Sequence, residues 1–342
     1  MLPVLITIDT EYSLGLFQQG PGRDQAFNFA RSIACHGKQG DTGIFYQMDR
    51  FDRNALKGVF FVDPMPALIW GQQAVDAIVH PILERGHGVQ LHIHTEWLEF
   101  AGRQAPVGRT GRNMADFTLE EQRALLNYGI DRLVEAGAPR PVAFRAGNYG
   151  ANDDTLRALA SLGLIYDSSL PPGIAKSDCR ISLPSDQIAP IQHHGVIEVP
   201  IGAIAGAGKS LRHAQITALS NWELRRAISH AAVAGWPSFV IVSHSFELFD
   251  RSKGIQNWLV RRRFDRFCDW LGTKQNARTT TFRKLIEKSA DLHASSRCGN
   301  KLSVLPHNPV STFHRMVEQF VINKLHGWNR SSAFILYISA AL

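Results

Sequence analysis

Seven short β-rich runs recur along the chain, and helical patterns fill most of the gaps between them. The runs are residues 3–8, 57–62, 88–93, 141–144, 163–166, 195–201 and 238–242. The helical patterns cover 46–56, 66–85, 119–136, 153–162 and 221–234. Strands that alternate with helices must pair in parallel, because each helix carries the chain back to the same end of the sheet. Seven such units fit a closed or nearly closed (β/α) barrel better than an open sheet. The alternative, a doubly wound open sheet, usually places a glycine-rich phosphate loop after its first strand. Here Asp9-Thr10-Glu11 stands in that place. A later glycine-rich stretch, 202–210, ends in Gly208-Lys209-Ser210 but lacks the first glycine at phosphate-loop spacing. It reads as a loop with a weak anion-binding option.

The 342 residues include 44% hydrophobic and 20% charged side chains, enough to bury a sizeable core in a water-facing protein. Residues 1–290 are expected to form the barrel, and 291–342 a linker with a short helical tail around 311–325. Two insertions, 15–42 and 99–117, follow the first and third strands, on the side where barrel enzymes carry their substrate loops. Cys35, Cys179, Cys268 and Cys298 are far apart and form no CxxC pair, so neither a disulfide framework nor a cysteine zinc site is expected. No leader-like segment precedes the first strand, no run reaches the length of a membrane span, and a cytoplasmic protein is the expectation. The net charge of +7 is concentrated late, around Arg261, Arg262 and Arg263. These read as a solvated helix face or as attraction for an anionic partner such as a phosphate. The nearby Phe264, Phe267 and Trp270 have the spacing of a buried stripe, not of base-stacking platforms, so nucleic acid is not expected.

Polar side chains gather where the strands end. The first strand runs into Asp9-Thr10-Glu11, the third into His92-Ile93-His94-Thr95-Glu96-Trp97, and the fourth into Arg145-Ala146-Gly147-Asn148-Tyr149. The fifth runs into Asp167-Ser168-Ser169 and the seventh into Ser243-His244. In a parallel barrel those ends converge on one rim, where active sites sit. Strand side chains alternate faces, so Asp9 and Glu11 share one face, and so do His92 and His94. Two histidines and a carboxylate with an open position make a hydrolytic metal site.

In order and spacing these segments resemble the five motifs of the polysaccharide deacetylase superfamily, carbohydrate esterase family 4, over about residues 3–250. Asp9-Thr10-Glu11 is similar to the first motif, usually Asp-Asp, and His92 to Glu96 to the second, usually His-x-x-x-His. Arg145 to Tyr149 resembles the third, Asp167-Ser168-Ser169 the fourth, Val242-Ser243-His244 the fifth, and 57–62 the second strand of the family. The resemblance implies a distorted (β/α)7 barrel and a hydrolase acting on carbon–nitrogen bonds other than peptides. The expected reaction removes an N-acetyl group from an amino sugar in a glycan or a glycan precursor. By that resemblance Asp9 is the general base, Arg145 holds it, His244 is the acid, and Asp167 orients His244 or Arg145. Glu11, His92 and His94 would bind a divalent ion, most readily zinc, with Glu96 as the alternative to His94. Tyr149, through its backbone N–H, and Trp97 would border the substrate. Thr10 stands where the family has its usual metal-binding Asp, and Gly147-Asn148 where Pro is common. The family also holds metal-free members, so a metal-free amide hydrolase and a non-catalytic carbohydrate-binding relative are the rival readings. A cytoplasmic substrate would be phosphate-linked, and Arg261–Arg263 or Lys209 would attract it.

Overall fold

Strand β1 (Leu2–Thr10) has partners on both sides, and almost every residue in it is buried. Its run Leu-Pro-Val-Leu-Ile-Thr-Ile is apolar on both faces, as a parallel strand covered on both sides must be. It pairs in parallel with β2 (Gly58–Val62) on one side and β7 (Phe239–His244) on the other. The ladder continues through β3 (Gly88–Ile93), β4 (Ala143–Ala146), β5 (Tyr166–Asp167) and β6 (Val196–Glu198), all parallel. The order is therefore β7-β1-β2-β3-β4-β5-β6, with the antiparallel strand Ile191–His193 beyond β6. A short strand, Ala277–Thr279, also pairs with the start of β1. The computed structural model describes residues 1–174, 176–208, 210–287, 302–312, 315 and 317.

Between β6 and β7 the ladder is carried by irregular chain. Gly202 N–H donates to Val240 O (2.9 Å), Val242 N–H to Ala214 O (2.9 Å), and Ile216 N–H to Val242 O (3.1 Å). The sheet thus curls into the distorted seven-stranded barrel expected from the sequence. All seven expected strands are present. Those at 141–144 and 163–166 lie two or three residues later, at Ala143–Ala146 and Tyr166–Asp167. Pro141 has no N–H to give to a ladder, and Gly163 (φ +79°) ends the preceding helix instead of starting a strand.

Around the curl lie α1 (Ile44–Arg53), α2 (Gln73–Glu84), α3 (Leu119–Glu135), α4 (Asp153–Ser161), α5 (Asn221–Val233) and α6 (Trp258–Gly272). Thr118 with Glu121 and Ser220 with Glu223 form capping boxes that start α3 and α5. The pattern at 66–85 is two helices, because Gly71 adopts φ +79° and ends Ala67–Trp70 before α2 begins. The insertion at 15–42 holds helices Leu14–Gln18 and Gln25–Ser32, started by Ser13 and Asp24 caps. Residues 302–305 of the expected linker lie against the barrel: Trp236 Nε1–H donates to Ser303 O and Ala205 N–H to Leu305 O. Most of the tail expected as a helix, together with Lys209 and Cys298, falls outside the described residues. Among the described residues no helix is long and apolar enough to cross a membrane.

The two faces of the sheet are packed separately, and this positions the site. Val4, Ile6 and Ile8 face outward into the larger core under the helices. Leu5, Val59, Phe61, Ala143, Tyr166 and Val242 face inward and form a smaller cluster. By the period of two, Thr7 and Asp9 continue the inward face of Leu5, and Arg145 continues that of Ala143. The barrel interior is therefore apolar at one end and chemically active at the other.

Candidate active site

Arg145 is the largest polar group inside the barrel and is fully buried. Its Nη1 donates to Asp9 Oδ1 (2.6 Å) and Thr7 Oγ1 (2.9 Å), its Nε to Ser168 O (3.0 Å), and its Nη2 to Ser168 Oγ (3.2 Å). The guanidinium also lies over the Phe61 ring at 4.3 Å. Asp9, 3% exposed, thus has one oxygen fixed by a cation. Its other oxygen, Oδ2, lies 4.0 Å from His244 Nε2. That gap is too long for a hydrogen bond and short enough for one small oxygen to touch both groups.

His244 is held from its far side. Its Nδ1 meets Glu247 Oε1 at 2.8 Å, and Glu247 also accepts from Ser243 Oγ (3.2 Å) and from Gln215 Nε2. Burial alone would push the imidazole down, but the Glu247 hydrogen bond and the charges of Glu247, Asp9 and Glu11 raise it above its ordinary value of 6.5. Glu247 was not among the residues singled out from the sequence. Its signal was its place three residues after His244, on a turn beyond the strand.

Glu11, His92 and His94 stand together, with one ligand atom of each within 4.8 Å of the others. His92 Nδ1 lies 2.8 Å from Arg145 O, and a carbonyl only accepts, so Nδ1 donates and Nε2 is the nitrogen turned toward Glu11. That Nε2 is 3.4 Å from Glu11 Oε2. His94 Nε2 is 2.5 Å from the same oxygen, while its Nδ1 faces Glu96 Oε2 at 3.2 Å. Burial would neutralise His94, but Glu11 and Glu96 hold it protonated well above its usual range. Burial would likewise raise Glu11, and His94 and His92 keep it well below the carboxylate range. Two Nε2 atoms and a carboxylate oxygen thus stand close together at this end of the barrel. The donor set, two imidazoles with their outer nitrogens tied off plus one carboxylate, fits a zinc-type ion.

Of His94 and Glu96, His94 is the one that stands with Glu11 and His92. His94 joins the cluster, and Glu96 stands behind it, bonded also to Asn148 Nδ2 (2.8 Å). Asp63, at the end of β2, is a further acid not singled out from the sequence. Its Oδ1 accepts from the Met65 N–H (3.1 Å) and the His94 N–H (3.4 Å), and its buried Oδ2 has no hydrogen-bond partner. Burial lifts its carboxyl to about 6 against the pull of His94 and His92.

The structures of known proteins decide the fold. A Mycobacterium smegmatis protein assigned to the polysaccharide deacetylases superposes over 90% of this chain and 93% of its own, with a TM-score of 0.56 at 16% identity. The chain has the polysaccharide deacetylase fold. A 4-α-glucanotransferase from Thermococcus litoralis matches over 84% of this chain and 40% of its own at 14% identity (TM-score 0.49). A family 4 carbohydrate esterase from Streptomyces lividans, solved with acetate, matches over 89% and 98% at 13% identity (TM-score 0.40). No protein-family model and no curated protein sequence matches the chain.

Other residues singled out from the sequence stand differently in this fold. Asp167 touches neither His244 nor the Arg145 side chain. Its carboxylate accepts from the Ser169 N–H (3.0 Å) and Ser169 Oγ (2.8 Å), and it lies beside Glu198, its register partner on β6. Burial raises both carboxyls, Glu198 well above the carboxylate range with the neighbouring Asp167 adding to the rise. Asp167 braces the Ser168-Ser169 turn that receives Arg145. Trp97 does not border the mouth. It is 1% exposed and packs edge-on against Phe17 and Trp70, both at 5.5 Å. The chain turns back in a 3-10 helix, Thr95–Phe100, and carries it into the core. Trp97→Ala is accordingly expected to cost about 3–5 kcal/mol in denaturant melts. It should leave the KM of the folded fraction unchanged, and a raised KM with unaltered stability would return Trp97 to the substrate. Tyr149 is half-buried against the inner cluster, at φ +57°. In the basic run, Arg263 donates to Ile216 O and Thr217 O, and Arg261 to the Tyr46 hydroxyl and Gln256. Arg262 alone of the three is exposed.

Proposed function

We propose that the chain is a hydrolase that removes an N-acetyl group from an amino sugar of a glycan or glycan precursor, using a divalent ion held by Glu11, His92 and His94. One observation carries the reading: the Asp9–Arg145 pair, the His244–Glu247 pair and the ligand trio all meet at one end of the barrel. When bound, such an ion supplies Lewis acidity, polarising the acetyl carbonyl and easing the deprotonation of water. Asp9 takes that proton at Oδ2, while Arg145 keeps its Oδ1 occupied and the carboxylate aimed. His244 faces Asp9 across the 4.0 Å gap and returns a proton from Nε2 to the departing amine. Glu247 fixes the tautomer that leaves Nε2 for this task.

Two measurements test the reading together. Protein purified without chelator is expected to hold divalent metal at this site, to lose that equivalent in His92→Ala, and to release acetate from N-acetylated oligosaccharides. Acetate release from metal-free protein would favour the metal-free amide hydrolase. Metal without any acetate release from a broad glycan panel would favour the binding relative.

The raised His244 imidazole gives a pH dependence. An acid above its ordinary value keeps its proton further into the alkaline range, so activity is present below that point and lost as pH rises through it. Glu247→Gln removes the charge that raises it. The alkaline limb of the kcat/KM profile is expected to move toward acid, with most of the acid-side rate kept. An unmoved limb would show that His244 is not the group titrating there.

A further inference from the structure

A second set of ligand atoms lies where the hairpin leading into β6 meets the start of α4. Strand Ile191–His193 pairs antiparallel with β6, and only His194-Gly195 separates them. Both turn residues have positive φ, 44° and 89°, the mirror-image turn that suits a two-residue hairpin. A Cβ on Gly195 would lie 2.8 Å from the Ala160 Cβ, so the turn sits directly on α4. Adjacent side chains on a straight strand point to opposite faces. The turn cancels that alternation, and the His193 and His194 rings lie 4.1 Å apart. Both lean on Asp153, the first residue of α4: His193 Nε2 is 3.5 Å from Oδ1 and His194 Nε2 is 3.2 Å from Oδ2.

We propose that Asp153, His193 and His194 form a second divalent-metal site, of zinc-type chemistry, which fastens the hairpin to the start of α4. One ligand atom from each of the three lies within 4.8 Å of the others. In a tetrahedral zinc site with bonds near 2.0–2.1 Å, ligand atoms stand about 3.3 Å apart. His194 Nε2 stands 3.2 Å from Asp153 Oδ2 and His193 Nε2 3.5 Å from Oδ1, so each imidazole faces one oxygen of the same carboxylate near that spacing. The Asp153 carboxylate is held in place by the Ser182 N–H on Oδ1 (2.8 Å) and the Ser182 hydroxyl on Oδ2 (2.6 Å).

Ser182 does not make this a nucleophile. Its Oγ donates to Asp153 Oδ2 (2.6 Å), and its other contact is His193 Nε2 (3.1 Å). Serine and carboxylate then address the same imidazole nitrogen, whereas a relay needs them on opposite ones. The charge opposing a cation is Arg157, whose Nη2 is 3.4 Å from His194 Nε2. Arg157 is anchored through Nη1 on Asp154 (2.7 Å) and is half-exposed, so the guanidinium can withdraw from the ring without leaving that partner. The three ligands are each about a quarter exposed, which leaves water to complete the coordination.

The site does not depend on what the barrel mouth does, and the test keeps the two apart. Full-length protein stripped with chelator is dialysed against Zn²⁺ and its bound zinc counted. The wild type, His193→Ala/His194→Ala, His92→Ala and the triple variant are compared. The double variant is expected to bind one equivalent fewer than the wild type, and the triple variant one fewer than His92→Ala. Should the double variant fold poorly, His194→Gln is expected to weaken that equivalent at least tenfold. Equal zinc uptake with and without the histidine pair would overturn the proposal, whatever the mouth retains.

Discussion

Arg145→Met is expected to be the most destabilising single change in the barrel interior, at about 3–5 kcal/mol. The residue is fully buried, and its cation is the hydrogen-bonded partner of the Asp9 carboxylate. Removing it strands that buried carboxylate and leaves the Ser168 carbonyl and the Thr7 hydroxyl without their donor. The same change removes the positive charge that tempers the Asp167–Glu198 pair. Against a total stability of about 5–15 kcal/mol this is a large fraction. Denaturant melts read it as a lower midpoint at an unchanged slope. Adding Asp9→Asn should recover part of the loss, because the stranded charge is then gone. A loss below about 1 kcal/mol would mean that water reaches Asp9 and that the interior is wetter than the burial implies. Arg145→Lys keeps the charge but cannot reach Asp9, Thr7 and Ser168 at once, and should fall between.

Asp9→Asn in otherwise native protein is expected to keep the metal and lose about 10²–10⁴ of the deacetylation rate. The expectation rests on a division of labour between residues two apart on one strand face. Asp9 is engaged by Arg145 and faces His244, while Glu11 is engaged by His92 and His94. Asparagine keeps the shape and one acceptor for Arg145 but cannot take a proton. Metal content and acetate release on the same samples decide the matter. Loss of the ion together with the rate would make Asp9 a ligand and exchange the roles of the two carboxylates.

What was legible in the sequence follows from how local each signal is. All seven parallel strands were visible, because buried parallel strands are continuous apolar runs bounded by turn residues. The period of two placed Asp9 beside Glu11 and His92 beside His94 on common faces, and Glu11, His92 and His94 do stand together. Contacts between distant segments were not legible. Trp97 follows a strand end, the position of a rim residue, yet Phe17 and Trp70 draw it into the core from elements far away in sequence. Asp167, read as orienting His244 or Arg145, instead bonds Ser169 beside Glu198 of the neighbouring strand, and no pattern within either strand announces that neighbour. The group that does hold His244 comes from the turn after β7, where chain direction cannot be read from periodicity. The helices in 15–42 were hidden by the glycines and polar residues around their caps.

Asn148 and Tyr149 both adopt left-handed backbone conformations, φ +55° and +57°, directly after Arg145, Ala146 and Gly147. For residues other than glycine this costs on the order of 1 kcal/mol or more each. A free peptide of this sequence would therefore not hold the shape. The turn is held from outside, by Glu96 on Asn148 and by the close seat of Gly147 against Ile93 O and the His94 ring, where a Cβ would come within 2.8 Å. The arrangement is therefore not portable: transplanting 145–150 into another scaffold would carry the residues without their geometry. It also orders events in time, since the His94 side of the ligand trio can be set only once β3 and β4 have paired. An ion held as proposed by Glu11, His92 and His94 would find its full ligand set only after that pairing.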